Sequence, residues 1–336
     1  MCWHLFRKEI KEEGYMNLMT TLINIKRVLS GNPYGKFFLK AYHYILAVPL
    51  TKIYALKFNF IKHKIKKVNF YNNKETFDLI NSYKKSLCRF GDGEISWIYR
   101  DSRGYFSQEN SKELSDRLRE IIFSNDDRIL IGVPNFFGEL NGFSRKRKNS
   151  RNAHLGKYYN RWNELLETDK KYADALITRV YNGLENNCTS PLFNDWRKIW
   201  EDKHIIVVEG SQTRFGVGND LLDNATSIKR IIAPSENAFK KYNEIYGVVK
   251  NYINKETLFL ISLGPTATIL AYDIGKMGGQ AIDIGHLDIE YEWYLSGATK
   301  KEPVQGKYVN EAGGAYTLEL PKKTHEKYKL EIIDKI

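Results

Sequence analysis

The sequence predicts an α/β protein with a Rossmann-like, mostly parallel sheet covered by helices on both faces, plus a basic helical N-terminal extension. Two observations predict the sheet. Short continuous apolar runs alternate with segments of helical period, the pattern of strands buried on both faces. Nearly every run then stops at glycine or proline, where the chain must turn. A third observation sets off the extension: residues 1–68 hold 13 basic residues and three acids, Glu9, Glu12 and Glu13, whereas the remainder of the chain is nearly neutral. The chain therefore divides at 1–70 and 71–336. Its 336 residues, 42% hydrophobic and 27% charged, exclude a wholly disordered or collagen-like protein. Cys2, Cys88 and Cys188 share no close spacing, so neither a disulfide framework nor a zinc knuckle is expected, and a reducing, cytoplasmic setting is.

The elements follow in order. From Gly14 to Val68 there is no acid, and lysines alternate with Tyr, Phe, Leu and Ile. The longest apolar run there, about residues 44–50, is too short to span a bilayer and contains Pro49. Two expectations stand for this stretch: peripheral contact with an anionic membrane, or a helical hairpin packed on the body or a partner subunit. Nucleic acid is not expected, because no binding motif accompanies the charge. Residues 76–85 read as a helix and 86–90 as a strand. A helix over 112–123 has apolar residues at 114, 118, 121 and 122, and a strand over 128–133 ends at Pro134. Residues 158–166 and the segment before Ala175 read as helices, 175–180 as a strand and 192–200 as a helix. Strands follow at 204–208, 228–233, 257–263 and 280–284, with helices at 238–251 and 266–277.

In such sheets ligands bind outside the carboxyl ends of the strands, so the residues there carry the functional reading. After the first body strand comes Arg89-Phe-Gly-Asp92-Gly-Glu94. Two carboxylates separated by glycine can turn toward one hard divalent cation, or Asp92 can cap the helix that follows. After 204–208 comes Glu209-Gly-Ser-Gln-Thr213-Arg214-Phe-Gly216-Val-Gly218-Asn219-Asp220. Its glycines and hydroxyls suit a phosphate, with Arg214 as a charge contact, although an ordinary flexible loop explains them equally well. Gly264-Pro265-Thr266 opens a helix whose free N–H groups favour anions. His286, Asp288, Glu290 and Glu292 point the same way if extended; if the segment is helical, Asp288 and Glu292 share a face. One of these carboxylates can serve as a general base. Together these segments describe a crevice for a nucleoside diphosphate with a divalent metal.

These motifs, with Thr178-Arg179 and the run from Asp283 to Trp293, resemble the bacterial GT-D glycosyltransferases, formerly domain of unknown function 1792. The resemblance covers about residues 75–310 and leaves the basic segment outside. It implies a UDP-sugar donor, Mn²⁺ or Mg²⁺ held through Asp-x-Glu at Asp92 and Glu94, and a glycan acceptor in bacterial surface glycoprotein or polysaccharide synthesis. It also implies a late catalytic carboxylate: Glu290 first, with Asp288 and Glu292 as alternatives. Asp288-Ile-Glu290 is itself a second Asp-x-Glu. Donor contacts are expected from Arg214, Gly216, Gly218 and Thr266, then Thr213, Asn219, Arg89 and Arg179. A metal-dependent phosphohydrolase and a non-catalytic nucleotide-binding or membrane-associated protein are the rival functions.

Overall fold

The computed structural model describes residues 48–336 except 103, 138, 139, 141, 182–189 and 313–317, together with isolated positions 34, 37 and 45. Helix α1 (Val48–Ile61) comes first, then strand β1 (Asn69–Phe70), α2 (Asn73–Asn81), β2 (Ser86–Arg89), α3 (Asp92–Ile98), α4 (Lys112–Ile122) and β3 (Ile129–Val133). The chain continues through α5 (Arg145–Leu165), β4 (Lys171–Asp174), α6 (Ser190–Trp200), β5 (His204–Gly210), β6 (Ser227–Ala233), α7 (Tyr242–Val249) and β7 (Thr257–Ser262). It closes with α8 (Pro265–Lys276), β8 (Gln280–Asp283), α9 (Leu287–Ser296), α10 (Lys322–Glu331) and β9 (Ile332–Lys335).

The strands form one nine-stranded sheet in the order β1-β4-β3-β2-β8-β7-β5-β6-β9, and every pairing is parallel. The two-residue alternation of a strand explains the layers. Cys88, Ile131, Ile206, Val208, Phe259 and Ile261 enter one buried cluster with α4, α5 and α8. Their neighbours Leu87, Leu130, Ile205, Val207, Leu258 and Leu260 enter the other, with α2 and α6. Helices therefore cover both faces, as the apolar runs predict. The chain leaves β5 outward to β6, while its neighbour β7 sends the chain the other way, to β8. The carboxyl ends between them part, and a crevice opens there.

Three elements differ from expectation. The strand expected over 175–180 lies earlier, at β4, and residues Ala175–Thr178 form a 3₁₀ turn. The Asp174 carboxylate accepts the Leu176 N–H and ends the strand there, so the apolar run that follows belongs to a buried turn. Helix α5 starts 13 residues before the expected 158–166 segment, because Ser144 caps a basic first turn without apolar period. Strand β9, not anticipated, extends the sheet beyond β6. Residues 1–33 lie outside the described residues, so the expectations for them stay untested, whereas α1 packs on α5.

Candidate active site

A cavity of about 920 Å³ opens at the carboxyl ends of the strands. Its wall takes residues that follow β2 (Gly91, Asp92, Glu94), β5 (Ser211, Gln212, Thr213), β6 (Ser235, Glu236), β7 (Gly264, Pro265) and β8 (His286, Asp288). Lys301, Tyr308 and Glu311 close another side.

Arg89, at the end of β2, forms the stitched floor. Its Nη2 lies 2.8 Å from Asp283 Oδ1, its Nε donates to the Asp283 carbonyl at 2.6 Å, and its Nη1 donates to Thr178 Oγ1 at 2.6 Å. The single hydroxyl proton of Thr268 in α8 is shared between the Arg89 carbonyl at 2.9 Å and Asp283 Oδ2 at 3.1 Å. Arg89 thus joins β2, β8, α8 and the turn after β4. Gly285 is required beside it: its φ is +53°, and a Cβ there would meet Arg89 Nη2 at 2.0 Å.

Asp92 and Glu94 open α3. Asp92 is exposed on the wall. Glu94 Oε2 curls back to accept the Gly91 N–H at 2.7 Å. Burial and the negative charge of Asp283 push the Glu94 carboxyl up to about 7, against the backbone hydrogen bonds and Arg89. Among the described residues, no group of three His, Cys, Asp or Glu side chains is placed to hold a metal ion. The donor chemistry nonetheless fits a hard divalent cation: two carboxylates share the wall, and a cation would favour the ionised form that burial and Asp283 oppose at Glu94.

The segment after β8 is helical, and α9 separates its acids. Asp288 lines the cavity, but its oxygens are occupied: Oδ1 accepts from Gly216 N at 3.0 Å and Asn219 Nδ2 at 2.8 Å, and Oδ2 from Lys307 Nζ at 2.7 Å. Glu292 shares Asn219 and Lys307 with it, as one helical turn allows. Glu290 is buried, accepts the Tyr181 N–H at 3.0 Å and pairs with Arg179 Nη1 at 3.5 Å. Neither Glu290 nor Glu292 lines the cavity. Glu290, expected as the base, lies behind the wall beside Arg179.

Arg179 sits in a charged ladder. Its Nη2 donates to Glu311 Oε1 at 2.6 Å and lies 3.3 Å from His286 Nδ1; Glu311 also pairs with Lys301. The charges of Arg179 and Lys301 hold the Glu311 carboxyl down at about 2, against burial. Burial and then the Arg179 charge push His286 down to about 3, so its ring is neutral. With Nδ1 facing an obligate donor, the ring proton resides on Nε2.

The loop after β5 is largely spent on holding itself. Glu209 Oε2 accepts the Phe215 N–H, and buried Arg230 bridges Glu209, the Phe215 carbonyl and Glu331. Arg214 donates to the carbonyls of Gly306 and Leu318 at 2.7 and 2.5 Å. Arg214, Gly216, Gly218 and Asn219, expected at the donor, therefore do not line the cavity, whereas Thr213 does. Thr266 does not line it either; its hydroxyl is buried without a hydrogen-bond partner, beside Gly264 and Pro265, which do. The sequence reading missed Lys301, Lys307 and Glu311. They lie in a stretch of no period, and only the fold brings Lys301 and Glu311 to the wall and sets Lys307 behind it on Asp288 and Glu292.

Comparison with known proteins places this architecture. The glycosyltransferase GT-D fold family matches residues 87–312. The chain belongs to the GT-D glycosyltransferase fold family. Over 239 residues it is 38% identical to a probable glycosyl transferase, Gly, of Streptococcus gordonii and 36% identical to the glycosyltransferase GlyD of Streptococcus pneumoniae serotype 4. Those matches cover 70% of this chain but 34% and 29% of the two relatives, so the chain spans about a third of their length. A solved structure described as domain of unknown function 1792 with a distinct glycosyltransferase fold superposes with a TM-score of 0.75 at 31% identity, covering 83% of this chain and 99% of that one. A glycosyltransferase of the same domain from Streptococcus sanguinis gives 0.73 at 32% identity, covering 80% and 100%. The GT-D family membership accounts for the α/β fold. Residues 48–86 lie ahead of the matched segment.

Proposed function

We propose that this GT-D protein is a glycosyltransferase that moves a sugar from a UDP-sugar to a glycan acceptor of the bacterial cell surface, with Mn²⁺ or Mg²⁺ bound. The cavity carries the proposal: it joins the carboxylates Asp92 and Glu94 to the N-terminal end of α8 within one crevice. Asp92 and Glu94 would hold the cation, which when bound offsets charge developing on the departing diphosphate. The chain's own groups do the rest. The start of α8, at Gly264 and Pro265, brings the positive end of its helix dipole to the cavity wall, where it favours an anion. Thr213, Ser211 and Gln212 offer further neutral hydrogen bonds along the β5 edge. Arg89 and Arg179 act as positioning residues, since their guanidinium groups are already committed to Asp283, Thr178 and Glu311.

Calorimetric titration of UDP, with and without Mn²⁺, tests the donor site. Metal-dependent binding that disappears in a folded Asp92→Ala variant supports it. Equal binding by the variant removes Asp92 from the metal site, and no binding in either condition removes the nucleotide.

A further inference from the structure

We propose that α1 is a membrane-surface anchor that lays its outer face on an anionic bilayer, independently of the reaction in the cavity. The helix has two faces. Val48, Tyr54, Ala55, Phe58 and Ile61 are partly or fully buried toward the body. There the Arg151 guanidinium lies 5.1 Å from the Phe58 ring, and a Cβ on Gly156 of α5 would meet the Tyr54 carbonyl oxygen at 1.9 Å. That contact fixes which side of α1 is left outside.

The outside is apolar. Pro49, Ile53, Leu56 and Phe60 fall within about 60° of arc at 3.6 residues per turn, and the last three are 57%, 62% and 76% exposed. Lys52 and Lys57 flank this stripe on either side, and exposed Lys62, Lys64 and Lys67 continue from its end. A narrow apolar stripe edged with lysines is the pattern of a helix that lies in the plane of an interface. At 14 residues, α1 does not span a bilayer, and among the described residues no helix is long and apolar enough to do so.

Charge selects the occupant. A second copy of this chain presents the same lysines, and like charges oppose that pairing. The 47 residues ahead of α1 carry seven basic residues against Glu9, Glu12 and Glu13, so they too are net basic. An anionic lipid surface complements all of these cations.

Flotation of the full chain with vesicles of phosphatidylglycerol and phosphatidylcholine, against phosphatidylcholine alone, tests the anchor. The chain should float with the anionic vesicles, less so as salt rises. Ile53→Glu with Phe60→Glu should lower the partition coefficient at least about tenfold, because each glutamate must be drawn into the interface or leave it. Lys52→Glu with Lys57→Glu should remove the preference for anionic lipid. Ile53, Phe60 and Lys52 are exposed, and Lys57 reaches the body only at the Tyr159 ring, 5.9 Å away, so the melting temperature should hold, and that control is measured on every variant. Absence of flotation, equal binding to neutral vesicles, or full binding by the folded Ile53/Phe60 variant overturns the proposal. A dimer that light scattering shows dissociating in that variant also overturns it and assigns the face to a second copy.

Discussion

Replacing Lys307 with methionine should destabilise the protein strongly, although nothing in the sequence singles this lysine out. Its ammonium is 1% exposed and lies 2.7 Å from Asp288 and 2.8 Å from Glu292. Methionine retains most of the stem and removes the charge, leaving Asp288, 3% exposed, and Glu292 facing each other across Asn219. Removing one partner of a buried ion pair costs about 3–5 kcal/mol, because the remaining charge stays desolvated. At roughly 2–4 °C per kcal/mol for a domain of this size class, the melting temperature should fall by roughly 6–20 °C. Adding Asp288→Asn should recover part of the loss, since a neutral amide leaves less uncompensated charge. Thermal unfolding followed by near-ultraviolet circular dichroism gives the numbers, and little change with added salt is expected for a buried pair. A variant melting within about 2 °C of wild type would refute the claim that this triad clamps the β5 loop to α9.

Three further outcomes follow from the same geometry. Glu290→Gln keeps one acceptor oxygen for the Tyr181 N–H and loses the charge facing Arg179, so transfer should survive it with a higher donor KM; a loss of kcat by about 10²–10⁴ in the glutamine variant would instead mark Glu290 as the base. The Glu311 pKa is depressed to about 2 from an ordinary 4.5, so its contribution to stability is complete above about pH 4.5 and is lost as pH falls toward 2. Acid unfolding of Glu311→Gln should therefore be flatter than wild type across that window, and identical curves would show that the Arg179–Glu311 contact contributes nothing. Gly156→Ala should lift α1 from α5, since the new methyl would lie 1.9 Å from the Tyr54 carbonyl oxygen; limited proteolysis should then cut residues 48–68 faster, and unchanged protection would contradict the packing.

The sheet was legible because a parallel strand buried on both faces must be apolar along its whole length and must turn sharply afterward. Runs such as His204–Gly210 and Thr257–Ser262 carry that signature in a handful of residues. The same rule misplaced the strand at 175–180, where burial belongs to a turn that the Asp174 cap begins. Strand β9 was hidden because an edge strand needs no apolar run; Ile332 and Ile333 are only partly buried. At the site, residue types indicated the crevice, and strand ends brought Asp92, Glu94, Thr213 and Asp288 to its wall. Side-chain direction was not legible. Arg214 and Glu290 have the chemistry expected of a donor contact and a base, but backbone carbonyls and Arg179 claim them. Spacing along a chain does not reveal which partner satisfies a buried charge.

The most direct test of the central claim is a product assay with the purified chain, Mn²⁺ and a panel of UDP-sugars. Slow turnover in water, or faster turnover with a glycan acceptor, should release UDP from at least one donor and leave no inorganic phosphate. Release of inorganic phosphate from a phosphate ester, with every UDP-sugar intact, would contradict a glycosyltransferase and assign the carboxylates of the cavity to phosphate hydrolysis.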